Sequence, residues 1–215
     1  MAISKIVTNS VDSGVTLTSP TIASPTISAP VLSGSATGTY TLAGTYTLAG
    51  TPTAGASLIT SGTAQATTSG TFKDFTGIPS WVKRITVMFN GVSTNGISVV
   101  QVQFGTSGGI VITGYLSMIG LIANVNNTTR YGIYTTGFGT SHANAAADTW
   151  SGAYTFSLLG SNTWVLSGTV YSAGGGEISM GAGQIALASA LTTVRITTAN
   201  GTDTFDAGSI NILYE

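Results

Sequence analysis

Few residues in this chain could carry chemistry. The acids are Asp12, Asp74, Asp148, Glu177, Asp203, Asp206 and Glu215, beside six Lys+Arg, one histidine and no cysteine. Glycoside hydrolysis needs two facing carboxylates. The nearest pair in the chain, Asp203 and Asp206, sits in GTDTFDAGS. Three residues apart on a strand means opposite faces, and both acids suit a turn in which they bond nearby backbone amides. A carboxylate pair formed between chains stays open. His142 has no GxSxG nucleophile turn to serve. It could share a metal with Asp148 or meet its copies on a threefold axis. A polar loop histidine is the plainer reading, because a metal site needs a supporting shell. AGGGE (173–177) lacks the Lys-Ser/Thr ending of a phosphate loop and reads as a turn. Without cysteine there are no disulfides, no thiolate catalysis and no Cys-based zinc site. The expectation is a non-enzymatic protein with no cofactor and no metal ligands.

The aromatic segment RYGIYTTGFGTSHANAAADTW (130–150) suggests binding instead. Aromatic side chains with polar neighbours serve recognition surfaces. Tyr134, Phe138 and His142 are the candidate receptor contacts. Phe138, between Gly137 and Gly139, is expected to be the most exposed. The competing reading packs Tyr131 and Tyr134 into the core as strand residues. It also has Trp150 opening a buried strand that continues through AYTFSLL.

Composition narrows the partners. Charged residues make up 6% of the 215 residues and the net charge is -1, whereas an average domain is about a quarter charged. Hydrophobic residues reach 42%, enough for a core. The basic residues are scattered, and only Lys83 and Arg84 adjoin. That is no footprint for nucleic acid or an anionic membrane. MAISKIVTNSVDSG lacks the apolar region of a secretory signal. GIVITGYLSMIGLIANV (109–125) is shorter than the ~20 residues of a membrane span. Gly114, Ser117 and Gly120 interrupt it, so it reads as buried strands without membrane insertion.

The elements that must position these residues fall into two parts, divided near residue 65. Residues 1–35 hold the unit SPTIASPTISAPVL, and residues 36–65 hold TYTLAG twice in tandem. Prolines exclude helix and central strands here. The apolar residues Ile22, Ile27, Leu32, Tyr40, Leu42, Tyr46 and Leu48 are spaced regularly. Short repeats need neighbouring copies to bury such residues, so these seven form the expected core of a stalk wound from three chains. A flexible Ser/Thr/Pro linker is the alternative. In residues 66–215 apolar and polar positions alternate, which marks strands. Ile85, Val87 and Phe89 share a face. So do Val100, Val102 and Phe104, then Trp164, Leu166 and Val170, then Val194 and Ile196, then Ile210, Ile212 and Tyr214. Turn formers lie between, at 92–96, 105–109, 173–176 and 199–203, with Asn95-Gly96 and Asn200-Gly201 as tight-turn signals. Eight to ten short strands are expected. The fold class is all-β: an extended repeat stalk followed by an antiparallel, jelly-roll-like β-sandwich head, trimeric. HANAAADTW (142–150) is the best helical candidate and reads as a loop with one turn.

The opening SKIVTNSVDSGVTLTSPTI and the repeats after SATG resemble bacteriophage fibre N-termini. FKDFTGIPSWVKRITVMFNGVSTNG (72–96), GSNTWVLSG (160–168) and VRITTANGTDTFDAGSINILYE (194–215) resemble the C-terminal heads of tail fibres, and together these stretches cover about half the chain. The resemblance implies a homotrimeric virion protein assembled in the host cytoplasm. Its head would contact a host-surface glycan or protein. Its N-terminal segment would anchor to other virion proteins, with Ile3, Lys5, Ile6 and Val7 as candidate anchor residues. Similar small trimers decorate capsids, so a capsid decoration (cement) protein or head fibre is the alternative. A polysaccharide-degrading tailspike is the second.

Overall fold

The computed structural model describes residues 59–123, 129–141, 145–174 and 176–215. The expected anchor (Ile3, Lys5, Ile6, Val7), the expected stalk core (Ile22 to Leu48) and His142 lie outside the described residues. The described part is all-β, and each strand pairing is antiparallel.

The chain enters through two short strands, β1 (Thr60–Ser61) and β2 (Gln65–Ala66), then β3 (Phe72–Thr76). The long β4 (Arg84–Thr94) follows, then β5 (Val100–Thr106), β6 (Gly109–Ile110) and β7 (Leu116–Ala123). Next come β8 (Thr129–Tyr134) and β9 (Phe138–Ser141). A meander of three long strands follows: β10 (Trp150–Gly160), β11 (Thr163–Ser172) and β12 (Glu177–Ala186). The chain closes with β13 (Thr193–Thr198) and β14 (Phe205–Tyr214). One nine-stranded sheet runs β1-β14-β4-β10-β11-β12-β7-β8, with β2 also on β14. A five-stranded sheet runs β3-β13-β5-β6, with β9 also on β5.

Alternation built these strands as expected. Ile85, Val87, Phe89, Val102, Phe104, Trp164, Val194, Ile196, Ile210 and Ile212 all point into one shared core. Its centre is aromatic. Phe104 of the small sheet meets Phe156 and Trp164 of the large sheet edge-on, at centroid distances of 5.0 and 5.6 Å. Such contacts add to the area burial that drives sheet-on-sheet packing. Tyr115 bridges an interruption in the small sheet's edge. Its hydroxyl accepts from the Phe104 amide (2.7 Å) and donates to the Val111 carbonyl (3.0 Å).

Three expectations change. Strand β4 runs on through Thr94, so residues 92–94 are buried strand and not turn. A register shift where β4 meets β14 allows this, with Gly91 and Gly208 both at positive φ (60° and 91°). A Cβ on Gly208 would strike the Gly91 carbonyl, so the two backbones approach too closely for any other residue. Secondly, Asn95-Gly96 and Asn200-Gly201 close no hairpin. Each carries the chain from one sheet to the other, between β4 and β5 and between β13 and β14. The two loops bond each other: the Thr204 amide donates to Asn95 Oδ1 (2.8 Å) and the Ser98 amide to Asp203 Oδ2 (2.9 Å). Thirdly, residues 116–123 form a strand buried on one face only.

The core tyrosines set an alkaline limit. Burial pushes the Tyr115 and Tyr154 phenols well above their ordinary value of 10, and Tyr134 up to about 12. The folded chain therefore keeps protons that the unfolded chain releases near pH 10. Stability is complete below that pH and falls as pH rises above it, by up to about 1.4 kcal/mol per pH unit for each of the buried Tyr115 and Tyr154 and by less for the half-buried Tyr134. Urea unfolding midpoints measured from pH 8 to 12 should fall steeply above 10, and Tyr154→Phe should flatten the fall.

Candidate functional site

Of the three receptor contacts expected from the aromatic segment, His142 lies outside the described residues and Phe138 is not a surface residue. Phe138 is fully buried. It packs against Phe104, Tyr115 and Phe156 at 5.6, 5.0 and 5.1 Å between centroids. Its flanking glycines, taken as a sign of exposure, instead mark close packing. A Cβ on Gly137 would lie 2.8 Å from the Gln101 side chain, and one on Gly139 would lie 2.5 Å from the Tyr134 ring. Tyr134 is half-buried across Gly132 and Gly139. Tyr131 is 76% exposed, so the core reading fails for it. Trp150 is buried and opens β10, as expected.

The same segment does contribute to a different site. An open groove of about 330 Å³ crosses the outer face of the five-stranded sheet. Register builds it. Arg195 on β13 lies opposite Asp74 on β3 and Gln103 on β5. Two residues on, Thr197 lies opposite Phe72 and Gln101. Successive side chains on a strand alternate faces, so Val194 and Ile196 enter the core while Arg195 and Thr197 face out. The result is two cross-strand rows, Asp74–Arg195–Gln103 and Phe72–Thr197–Gln101.

These rows are held in place. Arg195 grips Asp74 with two hydrogen bonds, Nε to Oδ1 (2.8 Å) and Nη2 to Oδ2 (2.7 Å). Its guanidinium carbon lies 4.0 Å from the Phe72 ring centroid. The Asp74 hydrogen bond raises the affinity of Arg195 for its proton further. The pair is planar, bidentate and neutral overall. Gln101 and Gln103 form a nearly buried floor. Gln103 Nε2 donates to the Thr136 carbonyl (2.9 Å), and the Thr136 hydroxyl bonds Gln101 Oε1 (3.1 Å). Thr197 Oγ1 donates to the Thr71 carbonyl (2.8 Å). Asn200, at one end, accepts from the amides of Thr202 and Asp203 (3.0 and 3.1 Å).

The array offers fixed amide, hydroxyl and guanidinium groups beside a half-exposed ring. That is hydrogen-bonding and stacking chemistry, with no nucleophile poised against a base. Asp203, weighed as a carboxylate of a pair, accepts from the Ser98 amide and the Asn200 side chain (2.9 and 2.6 Å), the turn role read from its position. Among the described residues, no three His, Asp or Glu side chains stand together. The sequence did contain a signal for the groove. Arg195 interrupts the apolar run of TVRITT at an outward position, and Asp74 does the same in FKDFT. Nothing in the sequence says that β3 and β13 are neighbours.

No family model matches the chain, and comparison with curated proteins and with solved structures likewise finds no match.

Phe138→Ala should therefore act on stability and not on binding alone. Removing a buried Phe typically costs about 3–5 kcal/mol, which a urea titration would read. A variant of unchanged stability would contradict the placement of Phe138 in the core.

Proposed function

We propose that this chain is a non-enzymatic virion structural protein whose head binds a neutral host-surface glycan in the groove on the five-stranded sheet. The N-terminal repeats form the stalk of a homotrimer, and the segment before them attaches to other virion proteins. The observation that carries the reading is the pair of rows Asp74–Arg195–Gln103 and Phe72–Thr197–Gln101.

The argument for a glycan is chemical. Sugars present many hydroxyls at fixed angles and a weakly apolar ring face. Amide and guanidinium groups locked by their own hydrogen bonds meet those hydroxyls without losing further side-chain freedom. Phe72, 46% exposed, offers a face or edge for the ring. Asp74 neutralises Arg195, so the groove does not select for phosphate or sulfate. Single sites of this kind bind weakly, and three on one particle gain by avidity on a repetitive surface. The resemblance of both halves of the chain to phage fibres agrees with such a use.

The test is a glycan array probed with the full chain, followed by calorimetry on the neutral oligosaccharides retained. Phe72→Ala should weaken binding about ten-fold or more, as loss of an aromatic anchor does, and should leave the melting temperature nearly unchanged. If no glycan is retained, or if Phe72→Ala binds as well as the parent, the groove is not the receptor site. Antibody labelling of intact particles tests the other half: label on the capsid shell would make this a decoration protein.

A further inference from the structure

The outer face of the nine-stranded sheet has two compositions. Over β4, β10 and β11 it is mainly polar, with Thr86 and Thr155 in hydrogen-bonding contact (3.3 Å), Ser167 and Thr169 beyond them, and Met88 and Val165 as its partly exposed apolar members. Over β12, β7 and β8 it is apolar. Leu116, Met118 and Ile122 project from β7, Tyr131 and Ile133 from β8, and Ile178 and Met180 from β12. Tyr171 on β11 completes the set. These eight side chains are between 45 and 76% exposed.

They are contiguous by register. Ile122 lies opposite Ile178, which lies opposite Tyr171. Met118 lies opposite Ile133. Between Met180 and Tyr131 stands Gly120, and no atom comes within 4 Å of where its Cβ would be. The row therefore has a gap about one side chain wide between two large ones.

We infer that this face packs against other copies of the chain, around the axis of the homotrimer. The inference deepens the self-assembly part of the reading above by locating an interface on the head. Area is the first argument. Eight large side chains of ~200 Å² each, about half exposed, present on the order of 900 Å² of apolar surface. Monomers rarely expose a contiguous apolar patch above about 600 Å², and a stable interface buries about 800 Å² per partner. Charge is the second. In the outward-facing rows, those of Leu116, Met118, Gly120 and Ile122, no paired position carries a charged residue, and Arg130 pairs with Leu121 on the alternate row. The matching surface must be uncharged too, and this chain, at 6% charged residues, has such a surface to offer. Shape is the third, because Gly120 leaves room for a side chain of the kind that surrounds it. Closed rotational symmetry would bury the face on every copy.

Since the chain has no cysteine, single thiols report on the face cleanly. Met118→Cys, Ile133→Cys and Ile178→Cys would be made in the full chain, with Lys83→Cys, exposed and away from the patch, as control. Sedimentation at micromolar concentration gives the assembly state, maleimide labelling gives accessibility, and a short bis-maleimide reports thiols of two chains in proximity. The expected result is an oligomer in which the patch thiols label at least ten-fold more slowly than the control and yield interchain products. In the same assay Met118→Asp should raise the patch labelling rate or weaken association by about 100-fold, the scale of a hot spot. The crosslinks decide the matter even if Met118→Asp misfolds. An oligomer whose patch thiols label as fast as the control overturns the interface and leaves self-assembly through the repeats standing. Slow labelling without interchain product overturns it in favour of the chain's own N-terminal part. A monomer overturns both the interface and the self-assembly reading.

Discussion

The two sheets are joined by aromatic rings that meet edge-on around Phe104. Phe156 and Trp164 reach it from the large sheet, and Phe138 reaches it from the strap β9. This cluster fixes more than the core. Phe138 ties residues 135–141 to the flank of β5, and the Thr136 that precedes it reaches over the outer side of that strand to hold Gln101 and Gln103. The groove floor is therefore rigid because an aromatic side chain on the opposite face of the sheet is buried. Tyr115 serves the same edge, supplying a hydroxyl where the ladder leaves the Phe104 amide without a strand partner. A buried amide left unsatisfied would cost about 1–3 kcal/mol.

With the core closed, the two sheets present different outer faces. The small sheet carries a groove in which every charge is matched and every amide is tethered. The large sheet carries mainly Thr and Ser on one half and bare Ile, Leu, Met and Tyr on the other. Both follow from the near absence of charge. With few ion pairs available, selectivity rests on hydrogen-bond geometry in the groove and on shape in the apolar patch. Neither depends strongly on salt, which screens charge–charge attraction between exposed groups.

The strands were largely legible in the sequence because period-two alternation is a local property. Ile85-Val87-Phe89 and Val100-Val102-Phe104 could be assigned to an inward face without knowing what they face. Phe138 could not. Glycine on both sides reads as looseness in one dimension, whereas in three dimensions Gly137 makes room for Gln101 and Gly139 for Tyr134. The Asn-Gly turns were placed correctly, but their partners were not: the bonds from Asn95 and Asp203 join loops that are more than a hundred residues apart. The groove shows the same limit, since Arg195 and Asp74 are separated by 121 residues and meet only through register.

By itself, then, the sequence determined the all-β character of the described part, the inward-facing residues of the long strands and the uncharged character of the surface. Each of these is set by the kind of residue and its immediate spacing. Only the tertiary structure decided which outward positions become neighbours. Cross-strand pairing brought Phe72, Asp74, Arg195 and the two glutamines into one groove, and gathered Met118, Ile122, Ile133 and Ile178 into one apolar face. The physical reason is that hydrogen-bonded register is a relation between strands, and alternation within any one strand leaves it undetermined.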